Sequence, residues 1–102
     1  MSDMIEPIKP GDDLFPYDIE IVDGKECVTR KKEWTDEKEV ALDIRTIDYW
    51  LQFEDEHGSV ALINMIAGHS IRAMEVGTEK QKERFRELLA LREEWLLARS
   101  AA

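Results

Sequence analysis

The chain has 102 residues, of which 43% are hydrophobic and 36% are charged, and its formal net charge at pH 7 is −9. This length and balance are typical of one folded domain that buries about two thirds of its unfolded surface, and they argue against intrinsic disorder. The excess of acids disfavours direct binding to nucleic acid or to anionic membranes, because both require clustered Lys and Arg.

Residues 1–16 are predicted to form a loose, extended arm. Pro7, Pro10 and Pro16 remove backbone donors and restrict the residues before them. The arm is acidic and lacks the charge order of a signal peptide. The longest run without a charged residue, 58–71, is too short to cross a bilayer. We therefore expect a soluble cytoplasmic protein, and its single cysteine fits a reducing compartment.

Residues 17–33 are predicted to form a β-hairpin. Two alternating apolar runs flank Asp23-Gly24, which can supply the positive φ angles of a tight turn. With a two-residue loop, one side of the ribbon carries Tyr17, Ile19, Ile21 and Val28. A lone ribbon is marginal in water, so we expect this side to pack against a helix or another chain.

Three helices are predicted in the rest of the chain, over 35–57, 59–76 and 78–99. Thr35 or Asp36 can cap the first, and Thr78 and Gln81 have the spacing of a capping box at the start of the third. The predicted fold is a single α+β domain, in which an N-terminal arm and a short antiparallel hairpin pack on three α-helices.

Helical periodicity indicates more than one apolar face on two of the helices. Helix one carries a stripe of Val40, Ile44, Ile47 and Leu51 and, almost opposite, a second stripe of Leu42, Tyr49 and Phe53. Helix two is apolar on most sides, which predicts a central position, whereas helix three has one stripe. The hairpin can cover the second stripe of helix one. If it docks elsewhere, that stripe becomes an exposed interface patch.

Catalytic and metal-binding signals are sparse, and the sequence predicts no enzyme, cofactor or metal site. Glu54 and His57 form a single E-x-x-H pair, whereas di-iron bundles use two pairs and further carboxylates. His69 lies on an apolar side of helix two, which favours a buried, hydrogen-bonded histidine. Arg92 is expected to snorkel or to pair with an acid such as Asp43 or Asp48. An enzyme that uses Glu54, His57 or His69 is a third alternative.

The distribution of acids favours a protein partner with a basic surface. Residues 1–23 carry −6 and residues 35–58 carry −6, whereas the rest of the chain is slightly positive. We predict a non-enzymatic inhibitor that occludes a nucleic-acid-binding surface by placing carboxylates where phosphates would lie, as small acidic inhibitors encoded by bacteriophages do. The predicted partner-binding residues are the acids of helix one and its second stripe: Asp36, Glu37, Glu39, Asp43, Leu42, Tyr49 and Phe53.

A structural or assembly protein is the alternative of a different class. The apolar faces of helices one and two outnumber the surfaces available to cover them, so homo-oligomerisation through these faces is also consistent with the sequence. A monomer in solution would favour the inhibitor, and a stable ring or dimer would favour the assembly protein.

Overall fold

The computed structural model describes residues 4–55 and 57–101, and the side chains of all of these except Ala101. The described residues form two strands followed by three helices: β1 Tyr17–Val22, β2 Lys25–Arg30, α1 Asp36–Leu51, α2 Val60–Val76 and α3 Glu79–Ala101. The predicted α+β class, with one antiparallel hairpin and three helices, is confirmed.

The hairpin has the register and the turn that its sequence predicts. Ile19 lies opposite Val28 and Val22 lies opposite Lys25, which leaves a two-residue loop. Both loop residues have positive φ angles, 52° at Asp23 and 76° at Gly24. Positive φ at both central positions defines a type I′ turn, whose twist matches that of the strands.

The starts of the helices also agree with the sequence. The Thr35 hydroxyl accepts from the Lys38 N–H at the start of α1, and the Thr78 and Gln81 side chains make the reciprocal bonds of a capping box before α3. The end of α1 differs, because the helix stops at Leu51 rather than near residue 57. Two tight turns follow the helix, closed by hydrogen bonds from the Phe53 N–H to the Trp50 C=O and from the Glu54 N–H to the Leu51 C=O.

The core lies on both sides of α2, the central helix that the sequence predicts. α1 and α3 each pack mainly on α2 and touch one another little. The buried hydrophobic side chains of this core come from all three helices and none comes from the hairpin: Val40, Ile47, Leu62, Ile63, Ile66, Ala73, Phe85, Leu88 and Trp95. The hydrophobic core is therefore formed by the helices without a contribution from the strands.

The prediction that the hairpin packs on the helices is wrong. Every residue of β1 and β2 is exposed, and the described chain measures 58 × 30 × 27 Å with a radius of gyration of 16.3 Å. A compact chain of this length would have a radius of gyration of about 13 Å. Among the described elements the two strands pack only on each other, so the ribbon projects from the helices and its apolar side chains are exposed.

The described part of the arm, residues 4–16, was predicted to be loose but instead lies along α1, whereas residues 1–3 lie outside the described residues. The Gln52 side-chain amide makes two hydrogen bonds to the backbone of Ile5, accepting from its N–H at 2.9 Å and donating to its C=O at 2.7 Å. Arg45 donates to the Glu6 C=O at 3.0 Å. Ile8 and Tyr49 line the same small cavity. Residues of the arm therefore occupy part of the α1 surface that we assigned to the hairpin.

Candidate protein-binding surface

The projecting hairpin presents five large apolar side chains to solvent. Their exposed fractions are 41% for Tyr17, 42% for Ile19, 75% for Ile21, 47% for Val22 and 56% for Val28. All but Val22 lie on one face of the ribbon, because side chains alternate along a strand. A concentrated apolar surface of this kind on a small domain is typical of a site that another molecule covers.

The base of the hairpin is anchored to α1 by polar contacts. The Arg30 guanidinium lies 5.6 Å from the centroid of the Tyr17 ring and 5.4 Å from that of Trp34. It also forms an ion pair with Glu39 at 2.7 Å, and the Trp34 indole N–H donates to the same carboxylate oxygen. These contacts hold the ribbon at its base while the rest of it stays in solvent.

The same carboxylate links the hairpin to α2. Arg72 contacts Glu39 at 2.7 Å and Asp43 at 3.4 Å, and His69 Nδ1 lies 3.4 Å from the other Asp43 oxygen. Asp43 is buried, although it lies among these basic groups. The five side chains Arg30, Glu39, Arg72, Asp43 and His69 therefore form one continuous network, which we call the anchoring network.

The two acids of this network are perturbed in opposite directions. Burial raises the pKa of Asp43, and the charges of His69 and Arg72 offset this only in part. Burial would also raise the pKa of Glu39, but the hydrogen bond from Trp34 and the nearby charges of Arg30 and Arg72 together hold that pKa below its usual range. Glu39 is therefore the acid whose charge the fold stabilises.

We expect Glu39→Gln to lower the free energy of unfolding by about 1–3 kcal/mol at neutral pH, because charge-assisted hydrogen bonds are lost. A lowered pKa stabilises the fold above the unfolded-state pKa, and this contribution disappears as the pH falls through the folded-state value. The gap between wild type and variant in urea melts should therefore close in acid. Glu83→Gln, on the exposed side of α3, is the control and should stay within about 0.5 kcal/mol throughout. A gap that persists in acid would contradict this assignment.

The four acids predicted to bind a partner divide into two pairs. Glu39 and Asp43 belong to the anchoring network, where internal cations occupy them. Asp36 and Glu37 lie in the first turn of α1 with exposed side chains. Sequence position alone did not separate the pairs, because the cations come from distant residues, Arg30 and Arg72.

The second stripe of α1 is partly exposed. Leu42 and Tyr49 are half-buried, whereas Phe53 is exposed. Tyr49 packs edge-on against Phe53, with ring centroids 5.4 Å apart, and against Trp50 at 5.1 Å. Trp50, which was not predicted to belong to this stripe, is 49% exposed beside it. Tyr49, Trp50 and Phe53 therefore form an aromatic cluster at the end of α1.

The remaining candidates have structural surroundings. Of the two expectations for Arg92, pairing with Asp43 or Asp48 is not what the structure has: Arg92 Nε donates to the Ile63 C=O at 3.0 Å, and its guanidinium lies 3.8 Å from Glu93. Arg84 pairs with Asp48 instead. His69 is half-buried against Asp43. Cys27 is exposed on the ribbon. Within 4–55 and 57–101, no three His, Cys, Asp or Glu side chains come together as a metal site would require.

A groove of about 510 Å³ lies between α1 and α3 and includes Ile44 in its lining. The Arg84–Asp48 ion pair bridges it at 2.7 Å, and Gln81 donates to the Glu37 C=O at 2.9 Å. Because these polar groups already bind one another, they join α3 to α1.

No family model, curated protein or solved structure matches this chain. In the part of the chain that the structure describes, none of the helices combines the length and hydrophobicity that crossing a bilayer requires.

Proposed function

We propose that this chain is a non-enzymatic protein-binding factor and that the hairpin is its principal recognition element. The observation that carries the proposal is the exposure of both strands along their whole length, with Ile21 75% exposed. Isolated ribbons gain little stability from their own contacts. A partner that covers Ile19, Ile21 and Val28 would bury these side chains, which the helices of the chain leave exposed.

The charge of the chain favours a basic partner. The formal net charge is −9, and the hairpin adds four acids, Asp18, Glu20, Asp23 and Glu26, against Lys25 and Arg30. Asp36 and Glu37 are also exposed at the start of α1. Such a surface attracts a cationic partner and accelerates association. Occlusion of a partner's nucleic-acid-binding surface, with carboxylates in place of phosphates, is the inhibitory function that we propose.

Self-association is the second candidate, and the aromatic cluster at the end of α1 favours it. Trp50 and Phe53 are 49% and 55% exposed, and aromatic side chains of this kind are frequent anchors of interfaces. The high negative charge opposes contact between two copies. Sedimentation equilibrium of the purified chain separates the candidates, because a stable dimer or ring would support assembly.

The test of the proposed function is affinity capture from the cells that produce the protein, followed by quantitative mass spectrometry. The variant is Ile21→Asp and the control is Leu97→Asp, which makes the same charge change at an exposed site on α3. We expect a basic protein to be recovered equally with wild type and control but at least about tenfold less with Ile21→Asp. Equal recovery with all three proteins would exclude the hairpin as the recognition element.

A further inference from the structure

The two outer edges of the hairpin offer free backbone groups at alternate residues. The Lys31 N–H donates to the Pro16 C=O at 2.9 Å, so residues 16 and 31 form a hydrogen-bonded pair. In an antiparallel ladder, hydrogen-bonded pairs recur at every second residue. By the observed register, the inward-facing pairs are then 18/29, 20/27 and 22/25. The N–H and C=O groups of Tyr17, Ile19 and Ile21 therefore point outward from β1.

These outward groups are available for pairing. Among the described residues, the N–H groups of Ile19 and Ile21 donate to no backbone or side-chain acceptor outside the strands. An added strand could bond to them without disturbing the ladder between β1 and β2. This is the geometry that recognition by β-strand addition requires.

The two edges differ in the residues that protect a strand from unwanted pairing. Such protection commonly comes from Lys, Pro or inward-pointing charge. The outward groups of β2 belong to Glu26, Val28 and Arg30, two of which are charged, and Lys25 begins that strand. Those of β1 belong to Tyr17, Ile19 and Ile21, and no Lys or Pro lies within 17–22. β1 is therefore the edge at which a partner strand can add.

We infer that β1 binds an extended segment of a protein partner, one that alternates apolar residues with Lys or Arg. The inference deepens the proposed function and rests on it. Ile19 and Ile21 share one face of the ribbon, whereas Asp18 and Glu20 share the other. Residues opposite on neighbouring strands interact directly. The added strand would therefore place apolar side chains beside the isoleucines and cations beside the two acids.

A second copy of this chain fits the edge less well than such a segment. Pairing β1 with β1 of another copy would bring Asp18 and Glu20 of both chains onto the same face, where like charges opposite one another destabilise a sheet. Each copy would also bring its net charge of −9. A basic segment removes both sources of repulsion.

The test uses the full chain labelled with ¹⁵N and a short peptide of alternating lysine and valine. On titration to millimolar peptide, we expect the amide protons of Ile19 and Ile21 to shift and to become protected from exchange, and those of Glu26 and Val28 to stay unprotected. A peptide in which glutamate replaces lysine should leave all of them unchanged. Unchanged Ile19 and Ile21 amides with the lysine peptide, or equal responses to both peptides, would overturn the inference.

Proline substitution tests the edge independently. Ile19→Pro deletes one outward N–H of β1 and leaves the inward ladder intact, because proline is tolerated on an edge strand where its nitrogen faces solvent. Val28→Pro makes the matched change on β2. Loss of one backbone bond should weaken peptide binding about tenfold for Ile19→Pro. Val28→Pro should bind as wild type does. Equal effects of the two prolines would overturn the inference.

The two proposals can fail separately. If Ile21→Asp loses the cellular partner but Ile19→Pro retains it, the hairpin is recognised through its side chains and the edge-pairing inference is wrong. If Ile21→Asp retains every captured protein, the proposed function itself is wrong. A dimer in sedimentation that Ile19→Pro dissociates would show that the occupant is a second copy, which also overturns the inference.

Discussion

Gly58→Ala should lower the free energy of unfolding by about 3 kcal/mol, measured by urea denaturation. Gly58 has φ 65°, a left-handed conformation that L side chains rarely adopt, and an added Cβ would overlap the buried indole ring of Trp95. The Gly58 C=O also accepts from Arg99 at 2.7 Å, which ties this loop to the end of α3. The backbone therefore has little freedom to move away from the ring.

Gly24→Ala is the matched control, because it separates backbone strain from steric overlap. Gly24 has φ 76°, but no described atom lies within 4 Å of the position that its Cβ would take. We expect a loss of only about 1 kcal/mol, the cost of the left-handed conformation alone. Equal losses at the two glycines would show that Trp95 does not pack against Gly58.

Phe85→Ala should be destabilising by about 3–5 kcal/mol, the range for removing a buried aromatic ring. Phe85 is fully buried on α3, within the core that α2 shares with α3. The cavity left by the ring would be surrounded by helices that are already packed, so little collapse is expected. Thermal and urea melts should both report the loss.

Phe53→Ala is the control for Phe85→Ala and also tests the aromatic cluster. Phe53 is 55% exposed and contacts the rings of Tyr49 and Trp50. Its removal should cost about 1 kcal/mol, since only edge-to-face contacts and partial burial are lost. A loss as large as that of Phe85→Ala would assign Phe53 to the core and exclude it from an interface.

The anchoring network connects the stability of the fold to the presentation of the hairpin. Glu39 contacts Arg30 at the end of β2 and Arg72 on α2, so one carboxylate joins the ribbon to the helical core. Because the Arg30 guanidinium also lies within cation–π distance of the Tyr17 and Trp34 rings, its position is fixed by packing as well as by charge. The ribbon can thus project from the helices and still keep a defined base.

Short-range signals in the sequence were sufficient for the type and order of the elements and for their starts, although not for the end of α1. Asp23-Gly24 specified the turn because only a few residue types accept positive φ, and the turn then set the register of both strands. Thr35 and Thr78 marked the starts of α1 and α3 because their hydroxyls bind free amides one turn ahead. Periodicity identified α2 as central because its apolar residues cover most of its circumference.

Only the tertiary structure decided which apolar and charged surfaces contact one another, because these contacts join residues that are far apart in the chain. The apolar alternation of Ile19 and Ile21 predicts a covered face but does not distinguish a helix of the same chain from a partner. Likewise, the sequence does not distinguish Glu39 and Asp43 from the neighbouring acids Asp36 and Glu37. In the folded chain, Glu39 and Asp43 form ion pairs with Arg30 and Arg72 and are therefore not available to a partner. Gln52 binds the backbone of Ile5, 47 residues away, which no local pattern indicates. Local sequence determines backbone conformation, whereas the choice among competing apolar and charged surfaces is made by the free energy of the whole packed chain.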